Sequence, residues 1–229
     1  KYSIWPSRLL GLSEWKQKNR TESDVIREFE HDKWGSLLNQ VKNANQKISL
    51  EQIENLVYRE LDEVVCLVDD KLILMTAHNA LMKQYKIILN TLSNYLPAQV
   101  LCEFGAGYGQ IILKLDKENK FSGVSKIAAE YTSSGIQLLK HLTQYQHSNI
   151  LIGKCDLGKP KITDLNIPEG GIIFTCYAAH YIREYCMTFI DNLSSFKPKV
   201  VIHFEPIYEH CNIQTLLGSM QRKYLELND

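Results

Sequence analysis

The stretch EFGAGYG at residues 103–109 decides the fold of this 229-residue chain. It closes the apolar run AQVLCEF (98–104), which is typical of a buried strand, and it leads into GQIILKLD (109–116), which has a helical pattern. Glycines at alternate positions permit a tight turn and let a ligand approach the backbone closely. The helix that follows offers free N–H groups at its start. The loop therefore predicts a ligand site at the carboxyl end of a strand in an open α/β sheet.

Short apolar runs alternate with helical patterns after Pro97. The further predicted strands are KIAAEYT (126–132), SNILIGKCD (148–156), GGIIFTCY (170–177) and KPKVVIHFEP (197–206). The predicted helices cover residues 133–146, a segment that follows the fourth strand through Phe189, and residues 214–228. This alternation implies right-handed crossovers and a parallel sheet that is covered on both faces.

The first 95 residues have a helical pattern instead. Caps at residues 21–24 precede a helix over residues 25–42, and the capping-box spacing of Ser49 and Gln52 opens a second helix that we extend through residue 70. A third helix is predicted over residues 76–95. The sequence thus predicts two units, an all-helical cap or lid over residues 1–95 and an α/β core over residues 96–229. The first unit contains three tryptophans, Trp5, Trp15 and Trp34, which either line the cap or pack within it.

Composition excludes several classes of protein. Lys plus Arg and Asp plus Glu are both 26, so a strongly basic face for nucleic acid is not expected. No apolar run is long enough to span a bilayer, and the first residues lack the pattern of a signal peptide. Six cysteines lack CxxC spacing, which indicates buried thiols and no structural zinc or other metal site. We therefore expect a cytoplasmic protein that binds neither membranes nor nucleic acid.

Two nucleotide-binding patterns do not fit the loop. A dinucleotide fingerprint GxGxxG that begins at Gly105 would need its last glycine at the position of Gln110, and the Lys-Ser/Thr ending of a Walker A loop is absent. The loop instead resembles the (Glu/Asp)-x-Gly-x-Gly-x-Gly motif of the class I S-adenosylmethionine-dependent methyltransferases, and it matches that motif at every position. The resemblance covers residues 96–210, and it implies a Rossmann-like core that binds S-adenosylmethionine.

The resemblance also implies which residues hold the cofactor. In the family an acidic residue ends the second strand and binds the ribose, and another lies near the adenine after the third strand. Glu130 and Asp156 match those places, although Glu130 lies 27 residues after Glu103, and the usual spacing would reach Ser125. A ribose diol suits a carboxylate that accepts charge-assisted hydrogen bonds. The implied cofactor residues are Glu103, Phe104, Gly105, Ala106, Gly107, Gly109, Glu130, Asp156 and Leu157.

Each of these acids has a simpler interpretation. Glu103 can be a solvated strand end, Glu130 a surface charge and Asp156 a loop or helix-capping carboxylate.

The acceptor site of this family lies at the ends of the fourth and fifth strands. Those ends carry Tyr177, His180, His203 and Glu205, which we take as candidate catalytic residues. An imidazole titrates near neutral pH and can remove a proton from an acceptor, and Glu205 can orient an amine or amide. The alternatives are a capping or packing role for His180, a core position for His203, packing for Tyr177 and a structural ion pair for Glu205.

The expected function is methyl transfer to an O or N atom of a small molecule or peptide. The Asn-Pro-Pro-Tyr signature of some N-methyltransferases and the paired-Glu hairpin of arginine methyltransferases are absent. The rival functions are an aminopropyl transferase, a non-catalytic methyltransferase-like subunit that binds a partner through the helical unit, and a dinucleotide oxidoreductase. The two last strands of the family sheet are not visible before Asp229, so we expect a longer chain or an open edge. A homodimer is one way to cover such an edge.

Overall fold

The structure is a computed structural model that describes residues 5–14, 21–44, 48–58, 63–68, 71–158, 165–182 and 186–228. Its N-terminal part is mainly helical. The elements there are α1 (Trp5–Leu9), α2 (Glu22–Ile26), a π-helical segment (Arg27–Lys33), α3 (Trp34–Asn43), α4 (Leu50–Tyr58), strands β1 (Glu63–Val68) and β2 (Lys71–Thr76), and α5 (Ala77–Ser93).

The capping signals of this part are confirmed. Ser49 and Gln52 exchange the two hydrogen bonds of a capping box at the start of α4. The side chain of Thr76 accepts from the backbone N–H of Asn79 and begins α5, which confirms the third predicted helix.

The prediction of an all-helical cap is wrong between residues 63 and 76. Here β1 and β2 form an antiparallel hairpin, with Val65 opposite Leu74. The runs VVCLV and LILM are rich in β-branched and apolar residues, which favour strands. Their apolar positions also fit a helical period, and this is why the sequence pattern alone was ambiguous.

The C-terminal part is the predicted α/β core. Its elements are β3 (Val100–Phe104), α6 (Gln110–Asp116), β4 (Ser125–Glu130), α7 (Ser133–Gln146), β5 (Ile150–Lys154), β6 (Ile172–Cys176), α8 (Cys186–Ser195), β7 (Val200–Phe204) and α9 (Leu216–Asn228). All five strands are parallel and lie in the order β5-β4-β3-β6-β7. The order reverses beside β3, so the loops after β3 and β6 open a crevice at the carboxyl edge of the sheet.

One predicted helix begins later than expected. After β6 the chain forms a short 3-10 turn, Ala179–Tyr181, and the described part of α8 begins at Cys186. The backbone N–H groups of Ala178 and Ala179 donate to the carboxylate of Glu205, so they are held in a turn and do not start a helix at that point.

Apolar side chains cover both faces of the sheet. One cluster joins Leu101 and Phe174 of the sheet to Leu37, Ile53 and Ile88 of the N-terminal helices. The other lies between the opposite face and α8. The helical segment therefore packs directly on the sheet, and the domain boundary at residues 95–96 stays a prediction.

Three further expectations concern the cysteines, membrane-spanning helices and the edges of the sheet. Among the described cysteines, Cys102 and Cys155 are buried and form no disulfide, as expected. Within the described residues we find no helix with the length and apolarity that crossing a membrane requires. The outer edges of β5 and β7 have no strand partner in the described part of the chain, and the homodimer stays a prediction.

Candidate functional site

A cavity of about 1520 Å³ lies at the carboxyl ends of β3, β4 and β6. The glycine loop and the ends of the strands form its floor, and α2, the π-helical segment and α3 form its roof. Single-ligand pockets typically measure about 300–1,000 Å³. The cavity therefore has room for a cofactor and part of a second molecule.

The glycine loop is held by this chain's own acceptors. Gly105, Gly107 and Gly109 have positive φ angles of 72°, 55° and 87°, a conformation that glycine adopts without a steric penalty. A Cβ atom on Gly105 would collide with the Cβ of Ala178. The N–H groups of Gly105 and Ala106 both donate to the carbonyl of Ala129, at 2.8 and 3.1 Å.

Glu103 is buried at the end of β3, so it is not a solvated strand end. Only 3% of its surface is exposed, and its carboxylate accepts from the backbone N–H of Ile112 at 3.0 Å. Burial raises the pKa of Glu103 to about 8, the Ile112 hydrogen bond opposes that rise and Glu130 adds to it. Phe104, the next residue, is fully buried in the core.

Glu130 is also buried, so it is not a surface charge. One carboxylate oxygen accepts from the N–H of Gly107 at 2.7 Å. The other accepts from the N–H and hydroxyl of Thr132, at 2.9 and 2.6 Å. Three of roughly four acceptor positions are thus in use, and one remains for a ligand.

Asp156 and Leu157 lie in the turn after β5, at the end of the cavity farthest from β7 in strand order. The Asp156 carboxylate accepts from the N–H of Gly158 at 3.0 Å, which makes it a turn-forming side chain as well as a lining residue. Leu157 is buried and lines the same end.

The N-terminal roof contacts the loop through aromatic rings. Trp34 lies over Gly107, where a Cβ atom would be 3.1 Å from the indole, and it packs edge-on against Tyr108 with 5.2 Å between ring centroids. Phe29 packs edge-on against Tyr181 at 4.9 Å. Trp34 lines the cavity and also packs against the core cluster, so both interpretations hold for this residue. Trp15 lies outside the described residues, as does the side chain of Trp5.

Glu30 links the roof of the cavity to the core through hydrogen bonds. Its carboxylate accepts from the N–H groups of Ser133 and Ser134, at 2.6 and 3.0 Å, at the start of α7. A carboxylate at a helix N-terminus is favoured by the helix dipole and by unpaired N–H groups. The sequence pattern did not predict this contact, or the cavity positions of Phe29, Tyr58 and Gln84.

The half of the cavity near β6 carries phenols and amides. Tyr58, Gln84, Tyr108 and Gln110 line it, together with Cys176. The Tyr108 hydroxyl is buried next to Tyr58, and no described residue completes a hydrogen bond of good geometry to it.

The four candidate catalytic residues lie together but face two spaces. Tyr177 lines the large cavity and has a positive φ of 51°, which is uncommon for a residue other than glycine. His180, His203 and Glu205 line a neighbouring cleft of about 520 Å³. The two spaces meet at Ile182, which lines both.

Glu205 is the centre of a hydrogen-bond network. Its carboxylate accepts from His180 Nδ1 at 2.8 Å and from the hydroxyl of Thr175 at 2.7 Å, besides the N–H groups of Ala178 and Ala179 at 2.9 and 3.0 Å. Burial raises the pKa of Glu205, but these hydrogen bonds outweigh it and bring the pKa below its usual value. Glu205 therefore holds the turn after β6, and its oxygens are engaged by this chain.

His203 is half-exposed in the cleft and is not a core histidine. Its Nδ1 lies 2.9 Å from the Thr175 hydroxyl. Because that hydroxyl donates its proton to Glu205, Nδ1 of His203 has to be the donor in this contact. Partial burial lowers the pKa of His203, and Glu205 opposes the change. Among the described residues no cluster of His, Cys, Asp or Glu is arranged to hold a metal ion.

Comparisons with known proteins find likeness in structure only. No family model matches the sequence, and no curated protein matches it. The [4+2]-cyclase SpnF has a TM-score of 0.49 at 12% identity and covers 77% of this chain and 56% of its own. The small RNA methyltransferase HEN1 gives 0.48 at 17% identity, covering 58% and 17%. A SAM-dependent methyltransferase from Aquifex aeolicus gives 0.39 at 14% identity, covering 51% and 66%. The chain thus spans less than two thirds of each of these structures.

The structure has a parallel sheet of the order β5-β4-β3-β6-β7, a glycine loop after β3, and a buried acid at the end of β4 that binds this loop. The core has the class I methyltransferase fold. Within this methyltransferase fold, Glu130 occupies the end of the second strand, as the resemblance implied, in spite of its longer spacing from Glu103. The described part of the core has five strands.

Proposed function

We propose that this chain is an S-adenosylmethionine-dependent methyltransferase. The single observation that carries the proposal is the use of the loop's N–H groups by the chain itself. Gly107 of the loop donates to Glu130, and Ile112 in the first turn of α6 donates to Glu103, so two carboxyl groups of the chain use N–H groups that a phosphate would otherwise bind.

The charge of the cavity supports the same choice of ligand. The carboxylates among its described lining residues are Glu22, Asp32, Glu130 and Asp156, and Glu103, with a pKa of about 8, is largely protonated at neutral pH. The one described lysine of the lining, Lys33, is paired with Glu28 at 2.6 Å. An acidic cavity attracts a cation and repels a pyrophosphate. This favours a sulfonium nucleotide over a nicotinamide dinucleotide.

The cofactor would lie along the floor of the cavity. Asp156 and Leu157 would contact the adenine, and Glu130 would accept one hydrogen bond from the ribose through its remaining acceptor position. The rings of Trp34 and Tyr108 offer electron-rich faces, which favour a nearby cation. When bound, S-adenosylmethionine supplies a methyl group on a positively charged sulfur.

The residues after β6 and β7 would prepare the acceptor. Glu205 binds Nδ1–H of His180, which leaves Nε2 of the neutral ring as the basic nitrogen. His180 Nε2 would take the proton that an O or N acceptor loses as it is methylated, and Tyr177 would border the reacting group. Glu205 acts through His180 and is a positioning residue. The acceptor would be a small molecule or peptide, because the acidic lining disfavours nucleic acid.

Ligand-dependent unfolding tests this proposal. The melting temperature is measured with S-adenosylmethionine, S-adenosylhomocysteine and NAD in parallel. A ligand at about 100 times its dissociation constant stabilises by about 2.7 kcal/mol, which raises the melting temperature by about 5–10 °C for a protein of this size. We expect the rise with the two sulfur nucleotides and not with NAD.

Two variants make the test specific to the site. Glu103→Gln should weaken the effect of the sulfur nucleotides. Glu169→Gln is the matched control, since Glu169 is exposed and pairs only with Lys197 among the described residues. A rise with NAD alone would overturn the proposal. Cofactor binding without turnover over a broad acceptor screen would favour a non-catalytic subunit.

A further inference from the structure

The cleft beside the large cavity is a candidate binding site in its own right. It measures about 520 Å³, within the range of small-ligand pockets, and it opens at the carboxyl ends of β6 and β7. Its polar lining is His180, His203, Glu205 and Glu209, and its less polar lining is Ala179, Ile182, Pro206, Ile207 and the ring of Tyr208.

The network around Glu205 fixes what the two imidazoles present to the cleft. His180 donates its Nδ1 proton to Glu205, and His203 donates its Nδ1 proton to Thr175. In the neutral rings both Nε2 atoms are therefore hydrogen-bond acceptors. Glu205 keeps its negative charge, but its two oxygens accept four hydrogen bonds from this chain and are therefore occupied.

The remaining contacts of the cleft suit the apolar face of a ring. The Tyr208 ring is held on one side by Arg222, whose guanidinium carbon lies 5.1 Å from the ring centroid. Ile207 is partly exposed next to it. No lysine or arginine is among the described residues that line the cleft, since Arg222 contacts the Tyr208 ring without being part of the lining. A phosphate or carboxylate would therefore meet no cationic side chain within the lining.

We propose that this cleft binds the body of the methyl acceptor, and that the acceptor is an uncharged, polyhydroxylated ring compound. Hydroxyl groups would donate to Nε2 of His203 and to the carboxylate of Glu209, and the C–H face of the ring would lie on Tyr208 and Ile207. The inference rests on the proposed function for the role of the ligand as an acceptor.

Position connects the cleft to the reaction. Ile182 borders both spaces, and His180 stands on the same turn, with its ring centroid 4.1 Å from that of Tyr181. Tyr181 in turn lines the large cavity. A hydroxyl that reaches past Ile182 from the cleft would pass the candidate base on its way to the cofactor.

Saturation-transfer NMR with named probes tests the inference without any need for turnover. The probes, each at millimolar concentration, are methyl α-glucoside and myo-inositol, with putrescine and inorganic phosphate as the cationic and anionic alternatives. We expect saturation transfer to the two polyols, reduced several-fold in His203→Ala and in Glu209→Gln. His210→Ala is the matched control, because His210 is exposed next to the cleft and does not line it.

The outcomes separate the two proposals. Transfer to putrescine or phosphate alone, absence of transfer to both polyols, or equal transfer in wild type and Glu209→Gln would overturn the inference. Glu209 is exposed, so its variant tests the cleft even where His203→Ala does not fold. S-adenosylhomocysteine binding is measured on the same samples. Cofactor binding without polyol transfer would overturn the inference about the cleft and leave the proposed function standing, whereas polyol transfer without cofactor binding would overturn the proposed function and with it the acceptor role.

Discussion

The backbone N–H of Gly107 donates a 2.7 Å hydrogen bond to the carboxylate of Glu130. This bond joins the middle of the glycine loop to the end of the neighbouring strand, 23 residues away in sequence. A buried carboxylate that accepts from backbone N–H groups is held more strongly than a neutral pair would be. The conformation of the loop therefore depends on a side chain that also borders the ligand cavity.

Replacement of that carboxylate should weaken both the fold and the cofactor site. Glu130→Gln replaces one acceptor oxygen by an NH₂ group, which is a donor. This NH₂ group would face the N–H of either Gly107 or Thr132, so two donors would meet. We expect the free energy of unfolding to fall by about 1–3 kcal/mol, the cost of leaving a buried polar group unsatisfied. Urea denaturation measures this change, and calorimetry with S-adenosylhomocysteine measures the affinity. Unchanged values for both would contradict the role assigned to Glu130.

A comparison of two glycines should separate backbone strain from steric collision. Gly105 and Gly123 both have positive φ angles, 72° and 81°. A Cβ atom on Gly123 would meet open space, so Gly123→Ala should cost only the left-handed backbone penalty of about 1–2 kcal/mol. Gly105→Ala should cost more, because the new methyl group would collide with Ala178. Thermal or urea unfolding of both variants checks the order, and an equal loss would mean that Ala178 moves aside without cost.

The pKa of Glu103 should appear in the pH dependence of stability. The folded pKa of about 8 lies above the ordinary value of 4.5, so the folded state holds this proton more tightly than the unfolded state. The contribution to stability is fully present below pH 4.5 and is lost as the pH rises through about 8. Glu103→Gln keeps an acceptor for the Ile112 N–H and has no proton to lose. We expect the variant to lack this loss in urea denaturation at increasing pH.

The same group should link cofactor binding to protons. A bound cation lowers the pKa of a neighbouring carboxyl group, so affinity for S-adenosylmethionine should increase as the pH rises toward 8. Titration calorimetry in buffers with different ionisation enthalpies would detect proton release. If the wild type bound S-adenosylmethionine with an affinity that did not change with pH and equalled that of Glu103→Gln, the link between Glu103 and the cofactor would be contradicted.

Removal of the Glu205 carboxylate should free the two histidines from their fixed tautomers. In the wild type both rings carry the proton on Nδ1, because of Glu205 and Thr175. Nitrogen NMR of the imidazoles should report that tautomer, and Glu205→Gln should give a mixture. Glu226→Gln is the control, since Glu226 is partly exposed on α9 and pairs with Arg222. A mixture already present in the wild type would contradict the assigned network.

Glu205 should also stabilise the protein against acid. Its folded pKa is below 4.5, so its contribution is present above that value and is lost as the pH falls through the folded pKa. The pH dependence of this contribution is opposite to that of Glu103, whose contribution is lost as the pH rises. Acid unfolding of Glu205→Gln should therefore show a weaker dependence on pH than the wild type, and an identical dependence would remove Glu205 as the cause.

The sequence predicts the core well because its signals there are local. Each strand after Pro97 is a short apolar run bounded by turn residues, and the glycine loop identifies the strand that precedes it. The hairpin β1–β2 was missed because its apolar residues fit a helical period as well as a strand. Several of them remain exposed, with Val65 at 62% and Leu74 at 61%, so burial did not select one pattern over the other.

The site is predictable only where it follows the strands. Glu103, Glu130 and Glu205 stand at strand ends, and parallel strands bring their carboxyl ends to one edge. The contacts of the roof are different, because Glu30 meets Ser133 across 103 residues and nothing near Glu30 in the sequence indicates a partner. The sequence also does not predict that Glu205 accepts from the backbone N–H of Ala178, because every residue other than proline carries such a group.

The contact between Glu30 and α7 leads to a prediction about how fast the cofactor leaves. Glu30→Ala removes the acceptor for the N–H groups of Ser133 and Ser134, and loss of such a cap costs about 0.5–2 kcal/mol. The roof that carries Phe29 and Trp34 would then open more often. We expect S-adenosylhomocysteine to dissociate several-fold faster, as measured by stopped-flow displacement, with a smaller change in its association rate.

Glu28→Ala is the matched control for this effect. Glu28 lies on the same π-helical segment and pairs with Lys33 of that segment at 2.6 Å, whereas Glu30 accepts from the N–H groups at the start of α7. Glu30→Gln should fall between the wild type and Glu30→Ala, because the amide oxygen can still accept from one of the two N–H groups. Equal dissociation rates in all three variants would mean that the roof is held by its apolar contacts, such as Leu37 in the core cluster, and not by the carboxylate at the start of α7.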